Sequence, residues 1–176
     1  MDFRPATPQD CPDIARIQVD SYLTAYASIL PAAYLEHFTY VEQEQDWRDW
    51  FASNAEDVLF VAVDEQGELL GYALGKRNPD EAPPYEAELV ALHIRPAFQR
   101  QDVGRKLVSA VSQALMAQGC CSLFVWVLDR NPARAFYEKF GGVLVTEKSW
   151  ENNRDFGVEI SEVAYGWQDI RSLINL

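Results

Sequence analysis

Between Leu92 and Leu107 the chain reads Leu-His-Ile-Arg-Pro-Ala-Phe-Gln-Arg-Gln-Asp-Val-Gly-Arg-Lys-Leu. An apolar run stops before Pro96, a polar turn follows, and helical apolar spacing begins at Leu107. The first turn of a helix carries amides without intrahelical partners and the positive end of the helix dipole. Phosphate oxygens suit that place. Gly104 would let a ligand approach the main chain closely. Arg100, Arg105 and Lys106 add local positive charge. Arg100, Gly104 and Arg105 are therefore candidate phosphate contacts. Taken alone, the segment fits an exposed loop before a core helix equally well, because short glycine motifs are weak signals.

Other side chains carry their own chemistry. Tyr137 sits beside Phe136 and one helical turn from Phe140. A phenol there is either a proton donor that stays protonated at neutral pH or a core aromatic. Glu88 opens an apolar strand, as a proton acceptor or as a solvent-facing charge, with Glu81 and Glu86 as nearby competitors. The His93 side chain reads as a satisfied sheet histidine ahead of a base, and His37 as surface or interhelix packing. Tyr22, Tyr26, Trp47 and Trp50 could line a pocket, although helical aromatics at this spacing are more often core. Trp126 and Trp167 read as packing.

The elements that must carry these groups follow from periodicity. A short strand at 3–6 precedes a helix capped by Thr7 or Asp10, with Pro12 in its first turn. Its apolar face holds Ile14, Ile17, Val19 and Leu23, and Pro31 interrupts it. A second helical region carries Tyr34, Leu35, Phe38, Trp47, Trp50 and Phe51. Strands at 58–63 and 69–74 flank a turn containing Gly67 and read as a hairpin. A strand at 88–94 leads into the polar turn, then a helix at 105–118 and a buried strand at 122–128. Asn131 as N-cap and Pro132 at the first position start a helix that Gly141-Gly142 ends. Strands at 143–146 and 158–165 close the chain. The order β-α-α-β-β-β-α-β-α-β-β predicts a layered α/β (α+β) domain: a mixed, mostly antiparallel sheet flanked by helices.

The chain of 176 residues fits one domain, 1–176, large enough to bury a core without disulfides. With 27 acidic against 15 basic residues the net charge is −12, which argues against nucleic-acid binding and against anionic membrane surfaces. The acidity serves solubility or steers cationic small molecules toward the protein. No apolar run approaches the roughly 20 residues of a membrane span, and the N-terminus lacks a signal-peptide core. Cys11 stands apart, and Cys120 and Cys121 are adjacent. That odd, unspaced set indicates neither a zinc site nor a disulfide framework, so no metal is expected and the thiols are read as reduced and cytoplasmic.

The segment from Glu88 through Leu115 resembles motif A of the GCN5-related N-acetyltransferases (GNAT). Their turn reads Gln or Arg, two residues, Gly, one residue, Gly or Ala. Here Gln99 and Gly104 match, and Asp102 replaces the first glycine. Asp tolerates the left-handed backbone better than most residues, but it brings a carboxylate near an expected pyrophosphate. The run Asn131-Pro132-Ala133-Arg134-Ala135-Phe136-Tyr137-Glu138-Lys139-Phe140-Gly141-Gly142 resembles the family's motif B almost position by position. The element order is similar to the GNAT fold over essentially the whole chain.

The resemblance implies an acetyl-CoA-dependent N-acetyltransferase, with a primary amine or a peptide N-terminus attacking the thioester directly in a ternary complex. It implies that the strand ending at Ile94 pairs with the pantetheine arm, and that a backbone N–H near His93 or Ile94 polarises the carbonyl. The pyrophosphate would lie on the backbone of Gln101, Asp102, Val103, Gly104 and Arg105, with Gln99 and Arg100 beside it, Asn131 would contact the cofactor arm, and Arg134 would reach its phosphates. Tyr137 matches the family's general acid, and Glu88 the strand carboxylate used as a base by some members. Homodimers are a family habit. The competing reading, favoured by Asp102, is a GNAT-fold module that binds coenzyme A without catalysis, as a sensor or partner-binding protein.

Overall fold

The computed structural model describes residues 1–54, 56–78, 83–150 and 153–174. In chain order the elements are β1 (Asp2–Pro5), α1 (Cys11–Ala25), α2 (Ala32–Leu35), α3 (Tyr40–Ser53), β2 (Val58–Val63), β3 (Leu69–Arg77) and β4 (Ala87–Ile94). They continue with α4 (Val103–Ala117), β5 (Leu123–Leu128), α5 (Arg134–Lys139), β6 (Val143–Ser149), α6 (Asn153–Phe156) and β7 (Ser161–Trp167). The seven strands form one sheet in the order β1-β2-β3-β4-β5-β7-β6. Every neighbouring pair is antiparallel except β4 with β5. This is the mixed, mostly antiparallel sheet that the periodicity predicted.

The continuous apolar runs of β2 and β3 are buried because helices cover both faces of the sheet. On one face Leu107, Val108, Val111 and Leu115 of α4 pack against Leu89, Leu123 and Val125. On the other, Ile14 and Ile17 of α1 and Trp47 of α3 pack against Val61, Tyr72 and Leu74. Among the described residues no helix is long and apolar enough to cross a membrane.

Several boundaries differ from the sequence reading, among them the end of β3, which runs three residues past 74 to Arg77. Asn131 does not cap an α-helix directly. Its Oδ1 accepts from the amide of Ala133 at 2.8 Å, and its carbonyl accepts from Arg134, which makes a tighter turn before α5 begins at Arg134. The last strand starts at Ser161 rather than near 158, because the Asn153 side chain bonds both the N–H and the C=O of Ile160. The edge strand β6 runs on to Ser149, three residues past the expected end.

The entry to α1 is fastened by one buried carboxylate. Asp10 accepts two 2.8 Å bonds from the Arg4 guanidinium and further bonds from the Thr7 amide and hydroxyl. Burial alone would raise its pKa, but the bonds from Arg4 and Thr7 outweigh that and hold it below the ordinary carboxylate value. A depressed folded pKa contributes stability present above the unfolded value and lost as pH falls through the folded one. Asp10→Ala should therefore lower stability at pH 7 by about 1–3 kcal/mol, and its decline below about pH 4 should be shallower than in the native chain. Thermal melts between pH 3 and 7 check both; identical slopes would remove Asp10 from the account.

Candidate active site

The parallel β4–β5 ladder contains two residue pairs only, Ala87 with Leu123 and Glu88 with Phe124. Beyond them the strands part. β4 continues to Ile94 paired on its other side with β3, and β5 continues to Leu128 paired with β7. A bulge helps to turn β4 away: Leu89 and Ala91 oppose Gly75 and Leu74, and Val90 is the extra residue between them. Strand edges in this gap carry backbone groups with no partner across it. A cavity of about 510 Å³ opens here, walled by Ala91, Leu92 and His93 on one side and Val125, Trp126 and Val127 on the other.

The polar turn lies at the α4 end of the gap. Asp102 takes up a left-handed conformation (φ 63°), as does Arg100 (φ 59°). Asp102 stands at the N-cap, yet its carboxylate makes no capping bond and reaches Arg105 at 3.2 Å instead. Its side chain is 64% exposed, so the negative charge faces solvent. The first-turn amides of α4, at Val103, Gly104 and Arg105, are thereby left without a side-chain cap. Gln99 and Gln101 brace the turn through bonds to the carbonyls of Ile94 and Ala97. A Cβ on Gly104 would meet Phe136 at 3.5 Å and Ile94 at 3.8 Å, so the helix start already lies against α5 and the end of β4. Lys106 points elsewhere, over the Phe3 ring.

Tyr137 is buried on α5, edge-on to Phe136 and Trp167, and it lines the cavity. Burial, reinforced by Tyr26, pushes its pKa well above the ordinary phenol value. Asn131 lines the cavity too and shares a hydrogen bond with the Tyr26 hydroxyl. Glu88 projects into the cavity with Lys76 at 3.3 Å. Its competitor Glu86 is turned away to the Cys121 amide, and Glu81 lies outside the described residues. Arg134 is engaged by the Asp129 carboxylate and carbonyl and by the Tyr165 hydroxyl. The gap thus gathers Glu88, His93, Asn131 and Tyr137, with Ile94 and the polar turn at its end, while Arg134 is engaged by Asp129 and Tyr165.

Other residues differ from their sequence reading. The His93 ring is not satisfied by the protein: among the described residues it makes no hydrogen bond, and it lies among Tyr22, Tyr26 and Tyr72 at centroid distances of 5.9, 6.5 and 5.3 Å. Burial lowers its pKa to about 4, so it is neutral at physiological pH. Trp126, read as packing, forms part of the cavity wall, with the Lys148 ammonium 4.4 Å above its ring. Tyr22, Tyr26 and Trp47 line the cavity, whereas Trp50 packs on Trp47 and Phe51. Trp150, which opens the loop expected with the Tyr22–Trp50 region to shape acceptor choice, lines it, and so do Tyr72 and Glu162, which nothing local distinguishes from core or surface positions.

Residues 20–142 match the Acetyltransferase (GNAT) family. Over 173 residues the chain is 36% identical to an uncharacterized N-acetyltransferase, YuaI, of Bacillus subtilis (strain 168), covering 98% of this chain and 96% of that one. The chain belongs to the GNAT acetyltransferase family. Solved structures agree in fold. YncA of Salmonella typhimurium, a putative acetyltransferase crystallised with its cofactor acetyl-CoA, superposes with a TM-score of 0.70 at 21% identity, covering 95% of this chain and 92% of that one. The PaiA N-acetyltransferase of Thermoplasma acidophilum, in complex with coenzyme A, also gives 0.70, at 18% identity and 92% and 96% coverage. In this GNAT chain the two segments that resemble the family's motifs fall on the α4 turn and on α5.

Proposed function

We propose that the protein transfers the acetyl group of acetyl-CoA to a primary amine by direct attack in a ternary complex. The observation that carries this reading is the parting of β4 and β5 after Glu88 and Phe124, with uncapped amides of α4 at the end of the gap. An extended amide-bearing arm fits between the free strand edges, and a diphosphate fits the amides from Gln101 to Arg105. The Asp102 carboxylate, turned to Arg105 and to solvent, leaves that seat open, which favours cofactor binding over a plugged turn.

Backbone N–H near His93 or Ile94 then donates to the thioester oxygen as charge builds on it. Glu88 takes the proton of the incoming ammonium, directly or through water, so that a neutral nitrogen attacks. The C–N bond forms, the C–S bond breaks, the Tyr137 hydroxyl protonates the departing sulfur, and the surplus proton on the nitrogen passes to the tyrosinate, which restores the phenol and leaves the neutral amide. The raised pKa suits Tyr137 to this work, since the phenol keeps its proton until it is needed. Asn131 steadies the cofactor arm beside Tyr26.

Calorimetric titration with acetyl-CoA, followed by thiol release with a panel of amines, tests the reading. Saturable heat and amine-dependent thiol are expected; no heat at millimolar ligand would end it. Asp102→Gly provides a sharper check. It removes both a left-handed non-glycine residue and a negative charge beside the diphosphate seat. Affinity for acetyl-CoA should rise about three- to fivefold at low salt, in line with a weakly screened charge pair of roughly 0.5–1 kcal/mol. A fall in affinity would show that the carboxylate helps to build the seat.

A further inference from the structure

The cavity reaches beyond the strand gap into an aromatic chamber. Tyr22 stacks on Phe38 at 4.0 Å and touches Tyr26 at 4.8 Å, and Tyr72 stands 5.4 Å from Trp47. Tyr34 of α2 and Trp150 also line the cavity, and Tyr34 meets Trp150 and Phe156 edge-on, at 4.8 and 5.4 Å. Two polar groups on its wall lack protein partners among the described residues: the fully buried Tyr72 hydroxyl and the ring of His93. A buried hydroxyl without a partner is costly, and it favours any ligand that supplies one.

The charged groups of the wall narrow the choice further. Glu88 faces Lys76 at 3.3 Å, and Glu162 faces Lys148 at 3.6 Å. Each carboxylate is already partly neutralised, so the chamber offers room for one ammonium and no ladder of negative sites for a polycation. The volume, about 510 Å³ shared with the acyl arm, lies in the lower half of the usual ligand range of about 300–1,000 Å³. Aromatic walls favour flat or branched apolar bodies and attract a single cation over their faces.

We propose that the acceptor is a compact primary monoamine with an aromatic body, lodged among Tyr22, Tyr26 and His93, and bearing a hydroxyl that meets the Tyr72 hydroxyl. This rests on the acetyl-transfer reading above. Tyr72 is here a specificity residue: its O–H pairs with the acceptor hydroxyl, and the neutral imidazole of His93 accepts the remaining proton of that pair.

Thiol-release rates with acetyl-CoA are to be compared for tyramine, 2-phenylethylamine, spermidine and an alanine-initiated tripeptide. Tyramine should exceed spermidine and the tripeptide in kcat/KM by about tenfold or more, and 2-phenylethylamine by about tenfold, the effect of one well-placed hydrogen bond. In Tyr72→Phe the tyramine preference over 2-phenylethylamine should fall to about one, with acetyl-CoA affinity unchanged and the melting temperature no lower, since the costly unpartnered hydroxyl is gone. A preference for spermidine or the tripeptide would overturn the inference and leave acetyl transfer standing. An unaltered ratio in Tyr72→Phe would overturn the hydroxyl contact. If no amine releases thiol although acetyl-CoA binds, tyramine binding to the coenzyme A complex is read from quenching of the cavity tryptophans. Saturable quenching weakened in Tyr72→Phe supports the proposal, and its absence overturns it. Failure of acetyl-CoA itself to bind would strike the acetyl-transfer reading, and the proposal that rests on it falls with it.

Discussion

Tyr137→Phe is expected to lower kcat for acetyl transfer about 100-fold or more, with acetyl-CoA affinity nearly unchanged. A positioned proton donor contributes about 10²- to 10⁴-fold, and the phenyl ring keeps the rest of the side chain in place. Among the described residues the hydroxyl has no hydrogen-bond partner to lose, so the melting temperature should hardly move. That separates a chemical role from a packing role, since Tyr137 is also wedged against Phe136 and Trp167. The pH profile carries the sign. The acid works in its protonated form, and burial raises its pKa, so the rate should show no fall from Tyr137 ionisation between pH 6 and 9. Steady-state rates and calorimetry across that range check it. An undiminished kcat would return Tyr137 to the core.

Gly71→Ala, at a residue that contacts no ligand in this reading, should damage both stability and activity. Gly71 lies on β3 directly opposite Ile94. A Cβ there would sit 2.6 Å from the His93 carbonyl oxygen and 2.8 Å from Ile94 Cδ1. The nearer obstacle is backbone, which cannot rotate aside, so β4 must move away from β3. Overpacking of this kind costs about 1–3 kcal/mol. At about 2–4 °C per kcal/mol for a chain of this size, a mid-range loss lowers Tm by about 4–8 °C. The stretch displaced is the one that borders the gap and carries the amides assigned to the thioester oxygen. Misplacement by about 1 Å can cost about 100-fold, and kcat/KM should fall on that scale. Scanning calorimetry and thiol-release rates measure the two effects. Loss of Tm with activity intact would show that His93 and Ile94 do not hold the reacting carbonyl.

These two variants probe different kinds of information. The residues around Tyr137 read locally as a helix with a core aromatic, and only the resemblance of Asn131 to Gly142 to the family's motif singled it out; its place on the cavity wall came from the structure. The α4 turn was legible because its signals are local, down to the left-handed Asp102, whose conformation depends on its immediate neighbours. The direction of the Asp102 carboxylate was not legible, since it follows from the helical position of Arg105 once the turn is folded. Glu86 and Glu88 were indistinguishable as candidates until β4 was seated beside β5, which sends Glu86 to the Cys121 amide and Glu88 into the cavity.

From the sequence alone came the strands and main helices in their order, the mixed sheet, and the two segments that resemble the family's motifs, because periodicity, turn residues and caps act over a few residues; the short α6 and the break between α2 and α3 did not. Tertiary structure alone decided where β4 leaves β5, that β7 inserts between β5 and β6, and that the His93 ring stands unpartnered among tyrosines from α1 and β3. Those outcomes depend on which distant segments pack together. Strand pairing and burial join residues far apart in the chain, and no local pattern records where a ladder stops.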